Sequence, residues 1–320
     1  MKPKPVKIPR EEVGEWTEYR VSTWSRKETA VEEGNPIIIE NEIQIIQNGS
    51  IIAKREVGVV PTEPWGEPSK QGLFWPEHRP WLWHLGYENK VACVMLLIRA
   101  SLKEIDSKSP LTYSHYDSCE QKLETWHELR AEVSSFDPDT LLVWGNAGDD
   151  LYYLMVLQAT PSGIVEPVGT SLYQAISNIL DEYLSAATFV SSDHLLVIDD
   201  IGQLTLFDWK NVRQIASFSI SDGLLNEETG LTRLWPEDNE TDEYLIASGK
   251  TALIQNTLLV DIGESYPLNT KALVAFEPSS LTPLGMIRPP VTDEYLRYFG
   301  EKTFGFVRDG ELHTWKLHLK

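Results

Sequence analysis

Ser191-Ser192-Asp193-His194 places a nucleophile, an acid and a base side by side, the residue types of a hydrolase. A triad is assembled in space, however, and adjacency along the chain is no evidence for one. No Gly-x-Ser-x-Gly elbow occurs. The stretch reads as a turn with His194 at the start of a strand. Ala247-Ser248-Gly249-Lys250-Thr251 ends like a phosphate-binding loop, but Tyr244 stands where the first glycine belongs. The next segment, Thr251–Val260, is apolar and β-branched instead of helical, so Gly249-Lys250 reads as a hairpin turn. The seven histidines form no His-Glu-x-x-His, and Cys93 and Cys119 lack metal-ligand spacing. Asp238, Glu240 and Asp242 could offer oxygens to calcium, yet Glu243 occupies the position a calcium loop gives to glycine. No catalytic residue, metal or cofactor is expected.

The chemistry that remains is recognition. Pro61–Gly86 carries five prolines together with Trp65, Trp75, Trp81 and Trp83. A loop of that length is functional or disordered, and disordered segments are poor in aromatics. An ordered aromatic loop on a rigid support is the expectation. Trp81 and Trp83, nearest the strand at Val91, are expected in the core. Trp65 and Trp75, with His78 and Arg79, are expected to contact a partner, because Trp and Arg dominate interface hot spots. A second contact is expected at Glu237, Asp238, Asp242 and Glu243.

Charge narrows the partner. Forty-eight acidic against 28 basic side chains give a net charge of −20. That balance disfavours nucleic acid and anionic membranes and favours a protein with a basic surface. The longest apolar run, Val91–Ile98, is too short to span a bilayer. No secretory h-region opens the chain, and Cys93 reads as a buried core thiol. A reducing, cytoplasmic location is the expectation.

The elements that must position these residues are mostly strands. Asp193–Ile220 contains three short strands joined by turns, an antiparallel meander that cannot bury both faces alone. Its second half, an apolar strand, a polar break and another strand, recurs from Ile43, Cys93, Tyr152, Leu204, Ala272 and Glu311. Asn48-Gly49 between isoleucines signals a tight hairpin. Leu141–Trp144 and Leu151–Leu157 form another. Trp16–Arg26 alternates as a strand that could pair with the last module. Helices are expected over Tyr113–Val133, from Cys119, Leu123, Trp126, Leu129 and Val133 at helical spacing, and over Leu172–Leu184, capped by Thr170 or Ser171.

Modules at intervals near 50 residues resemble the blades of the β-propeller superfamily, including its WD-repeat branch. Neither a Gly-His nor a Trp-Asp dipeptide occurs; the nearest is Asp208-Trp209 in reverse order. Within 99–184, Arg99–Asp106 and Leu141–Leu184 also resemble the SUKH superfamily of immunity proteins. There a Gly/Asp turn, a Gly-x-Val strand and a helix match Gly145–Asp150, Gly163-Ile164-Val165 and Ser171–Leu184.

The reading is a mainly β protein, a propeller of about six sheet modules with two inserted helices, near 113–133 and 171–185. Residues 1–15 form a basic, proline-rich tail and 16–320 a single domain. The function expected is non-catalytic protein binding or regulatory scaffolding. The SUKH resemblance implies an immunity protein that neutralises a toxin or effector. A hydrolase or lyase with its site in the propeller channel is the third reading.

Overall fold

The protein is described from a computed structural model. The structure describes residues 13–23, 34–39, 42–57, 72–76, 78–88, 91–109, 111–114, 120–122, 130–146, 151–179, 184–199, 202–220, 245–264, 270–288, 296–299, 303–308 and 311–320. The chain divides into two compact units, Lys27–Leu184 and a second formed by Met1–Arg26 with Ser185–Lys320. No helix among the described residues is long and apolar enough to cross a membrane.

The first strand, β1 (Gly14–Thr23), belongs to the second unit. In the first unit, β2 (Pro36–Ile39), β3 (Glu42–Gln47) and β4 (Ser50–Glu56) form a three-stranded antiparallel sheet. Asn48 and Gly49 both take positive φ, 50° and 70°, as the expected hairpin requires. Next come β5 (Gly72–Phe74), β6 (Trp81–Glu88), β7 (Val91–Ile98) and β8 (Glu104–Lys108), a four-stranded meander. Isoleucines 43 and 45 of β3 pack on Leu82, Met95 and Leu97 of this meander, with the Cys93 thiol buried among them. The opposite face sets Trp83, Leu85 and Leu96 against Leu141, Val143, Tyr153 and Leu157 of the next sheet.

That next sheet overturns one of the two expected helices. In place of a helix over 113–133, the described residues are β9 (Leu111–Ser114), β10 (Glu120–Lys122) and β11 (Arg130–Val133). They flank β12 (Thr140–Asn146) and β13 (Leu151–Thr160) in the order β10-β9-β13-β12-β11, with β14 (Gly163–Val165) also paired to β13. The edges of two buried apolar strands present backbone groups that must be paired, and tertiary pairing outweighs a helical side-chain period. The other helix is real but short. α1 (Thr170–Ser177) starts after Gly169 at φ 55°, which serves as the N-cap in place of Thr170 or Ser171, and buries Leu172, Tyr173 and Ile176. Leu184, expected in that helix, already begins a strand.

The second unit contains β15 (Leu184–Phe189) from its second residue on, β16 (His194–Asp199), β17 (Gln203–Asp208) and β18 (Arg213–Ser219), then β19 (Leu245–Ile254), β20 (Thr257–Glu264), β21 (Thr270–Glu277) and β22 (Thr282–Ile287). Phe218 meets Phe276 edge to face, centroids 5.1 Å apart, in the core between these two sheets. Gly249 and Lys250 lie inside β19 at a register shift, and not in a hairpin turn. The turn falls at Gln255-Asn256, φ 49° and 62°. The last sheet is β23 (Leu296–Phe299), β24 (Thr303–Arg308) and β25 (Glu311–Leu319), completed by β1. β1 pairs antiparallel along β25 from Gly14 against Leu319 to Thr23 against Glu311, as the alternation over Trp16–Arg26 promised. Glu311–Leu319 is one continuous strand, so the second strand expected in the module from Glu311 is replaced by a strand from the other end of the chain.

A detail repeats that residue identity conceals. The outermost strands β4, β8, β18 and β22 each carry one extra residue against their neighbour: Ile52, Ile105, Ile215 and Leu284. Each sits three residues after a residue with positive φ that ends the preceding turn: Gly49, Leu102, Val212 and Leu281. The six sheets formed by the described residues are antiparallel, of three to six strands each, and fit propeller blades.

Candidate interaction surface

Three chain segments of the first unit meet at one end of their sheets. The β5–β6 connection carries Trp75, Pro76, His78, Arg79 and Pro80, the β7–β8 turn carries Arg99–Lys103, and the β11–β12 turn carries Phe136–Asp139. Their meeting is fixed by side chains far apart in sequence. Arg79 donates from Nε and Nη2 to the two Asp139 carboxylate oxygens, both at 2.8 Å, and lies 5.7 Å over the Trp81 ring. Such a bidentate fork fixes direction as well as distance. Asp139 is itself held, since its N–H donates to Asp137 Oδ1 at 3.2 Å and Thr140 Oγ1 donates to Asp137 Oδ2 at 2.7 Å. The Arg99 N–H donates to the Pro80 carbonyl at 2.8 Å, which ties the β7–β8 turn to the connection.

Arg99 then reaches across this junction. Its guanidinium lies 5.8 Å from the Trp75 ring centroid and donates to Asn35 Oδ1 at 2.6 Å. Trp75 is half-buried against the core that holds Leu97 and Leu102. Leu102, at φ 57°, is 2 % exposed and plugs the turn from below. His78 stands exposed at φ 67°. A non-glycine residue held at positive φ is strained unless its surroundings over-determine it. Ile98 and Phe136, 37 % and 41 % exposed, add apolar area at the edges.

Three residues beyond Trp81 on β6, and opposite Met95 of β7, His84 is fully buried. Burial, and secondarily the charge of Arg55, lowers its pKa to about 4. Arg55 of β4 is ion-paired with Glu104 of β8 and donates to Met95 Sδ at 3.6 Å, bridging the two sheets.

Of the residues expected to bind a partner, Trp75, His78 and Arg79 come together here. Trp65, Glu237, Asp238, Asp242 and Glu243 lie outside the described residues. Trp83 is fully buried, whereas Trp81 is half-buried. Asn35, Arg99, Lys103 and Asp139 escaped sequence reasoning. Nothing local to Asn35, Arg99 or Asp139 announces a partner 60 or 64 residues away. Ser191–His194 is a turn: Ser191 Oγ accepts the N–H groups of Asp193 and His194 at 3.2 and 3.0 Å, and His194 opens β16.

No family model matches this sequence, and no curated protein is similar to it. Among solved structures, several are similar to this chain. Saccharomyces cerevisiae Sqt1 is 10 % identical over 87 % of this chain and 66 % of its own, with a TM-score of 0.45. The WD40 β-propeller domain of Doa1 is 7 % identical over 94 % and 97 %, at 0.41. The β-propeller domain of Cps50 (Swd1) from Myceliophteria thermophila is 12 % identical over 94 % and 99 %, at 0.39. The SUKH resemblance finds no support, and the described residues of 141–179 form three strands of one sheet and one short helix.

Proposed function

We propose that the protein is a non-catalytic protein-interaction module or regulatory scaffold of the reducing cytoplasm. The reading rests on the three-segment junction of the first unit. There a tryptophan, two arginines and exposed apolar side chains are fixed in place by an Arg79–Asp139 fork and the Arg99–Pro80 bond. A pre-organised surface of aromatic and arginine side chains loses little entropy on docking, which is how interface hot spots gain affinity. Trp65, Trp75, His78 and Arg79 are its proposed contacts. Glu237, Asp238, Asp242 and Glu243 supply the proposed acidic contact with a basic face of the partner, consistent with the net charge of −20.

Two variants test this. Proteins retained by the wild type are compared quantitatively with those retained by Trp75→Ala and by a fourfold reversal of the acidic contact to lysine. A partner lost from both variants, with an on-rate that falls as salt rises, supports the reading. Identical retention by wild type and both variants overturns it.

A further inference from the structure

We infer that the junction around Arg99 is a docking site for an acidic segment of a partner protein, one that carries aspartate or glutamate beside an apolar side chain. This rests on the protein-binding reading above and names the chemistry of the same surface.

The molecule contains its own control. In the β17–β18 hairpin, Lys210 lies 5.5 Å over the Trp209 ring and is met by the Asp193 carboxylate at 2.6 Å. In the β7–β8 hairpin, Arg99 lies over Trp75 at nearly the same distance, but the group that meets it is the Asn35 amide. Cation, indole and a short hydrogen bond are common to both; the negative charge is missing from one. Among the described residues no carboxylate pairs with Arg99 or with its exposed neighbour Lys103. Two cations in one turn, neither paired with a carboxylate of the described residues, are unexpected in a chain of charge −20. An amide fixes the guanidinium fork in position without neutralising it, which leaves its charge for an incoming anion.

The apolar surroundings select the kind of anion. Ile98, next to Arg99 in the chain, is exposed, Phe136 is exposed on the β11–β12 turn of the same junction, and Trp75 offers part of its ring. A peptide with a carboxylate and a neighbouring large apolar side chain can use both. A nucleic acid would bring a phosphate every few ångströms, and a chain of charge −20 repels that continuous array far more strongly than the one or two carboxylates of a peptide.

The test uses the full chain and three fluorescent 12-residue peptide pools of matched apolar content. Their charged positions are Asp and Glu, Lys and Arg, or Ser and Gln, and a single-stranded oligonucleotide is run beside them. The acidic pool is expected to bind at least tenfold more tightly than either other pool. Arg99→Gln should weaken it about tenfold. Asn35→Asp, which supplies to Arg99 the carboxylate that Asp193 gives Lys210, should weaken it similarly while leaving the melting temperature unchanged. Asn35→Asp keeps the turn and both cations, so its effect cannot be ascribed to misfolding. Equal binding of all three pools, acidic binding indifferent to both substitutions, or tighter binding of the oligonucleotide would each overturn the inference. If pools of every charge bind and Trp75→Ala removes them all, the protein-binding reading survives and only its acidic chemistry falls.

Discussion

The β7–β8 and β17–β18 hairpins share one backbone and differ in what surrounds it. Both close with a four-residue turn whose last residue, Leu102 or Val212, takes positive φ, and both place a bulged isoleucine three residues on. In the β17–β18 hairpin the polar groups answer one another. Asn211 donates from its backbone and side chain to Asp208, Arg213 approaches Asp208 at 3.8 Å, and Asp193 takes Lys210. In the β7–β8 hairpin the turn is anchored by apolar burial of Leu102, while Arg99 points to an amide and an indole. One turn is self-satisfied. The other is equally well fixed with its charge unspent, and that combination is what a recognition surface requires.

The largest expected effect strikes the anchors. Leu102→Ala and Leu281→Ala should each cost about 2–5 kcal/mol in urea unfolding, because both side chains are 2 % exposed. Val212, only half-buried at the same position of the self-satisfied turn, should cost clearly less on truncation. Equal losses at all three positions would erase the distinction between an apolar anchor and a polar one.

Acid should separate the two hairpins next. His84, opposite Met95 of the β7–β8 hairpin, has a folded pKa of about 4 against 6.5 in its ordinary state, so the unfolded chain binds the proton more readily. Its contribution is complete above pH 6.5 and disappears as pH falls towards 4, about 3 kcal/mol by linkage. Asp208 is also shifted downward, its carboxyl held below 3.8 chiefly by the hydrogen bond from the Asn211 side chain, so its share persists until the pH falls below that value. Hydrogen exchange should therefore show β6 and β7 losing protection at a pH where β17 and β18 keep theirs.

A smaller effect tests whether Arg79 is held as a fork. Arg79→Lys keeps the charge but not the bidentate geometry, and should cost about 1 kcal/mol given the partial exposure of both partners. A neutral result would mean that the β11–β12 turn is positioned without it. Smallest of all, Val212→Asn should raise stability by about 1 kcal/mol or less. Asn tolerates positive φ that a β-branched side chain resists. A lower melting temperature would show that packing by Val212 outweighs its strain.

Strand pairs were legible in the sequence wherever alternation met a turn. The pairs from Ile43, Cys93, Tyr152, Leu204 and Ala272 correspond to β3–β4, β7–β8, β13–β14, β17–β18 and β21–β22. The period misled at 113–133, because sheet edges recruit whatever backbone lies near them, and a side-chain repeat carries no information about the edge. The Gly249-Lys250 turn misled for a related reason: glycine marks a bulge as readily as a turn. At the junction, Trp75, His78 and Arg79 could be singled out by composition. Asn35 and Asp139 could not, since a partner's charge or neutrality matters only once folding has brought it within hydrogen-bonding reach.

The pairing of β1 with β25 has a consequence for the order of events during synthesis. Trp16 donates to the Arg288 carbonyl at 2.6 Å and packs edge to face on Phe304, and the Lys320 N–H reaches the Val13 carbonyl. None of these partner groups exists when Gly14–Thr23 leaves the ribosome. At about 5–20 residues per second, that segment waits on the order of 15–60 s for its partner strand. Closing so long a loop is entropically costly, so this sheet should be the last to assemble, and the apolar edge of β1 stays unpaired until then.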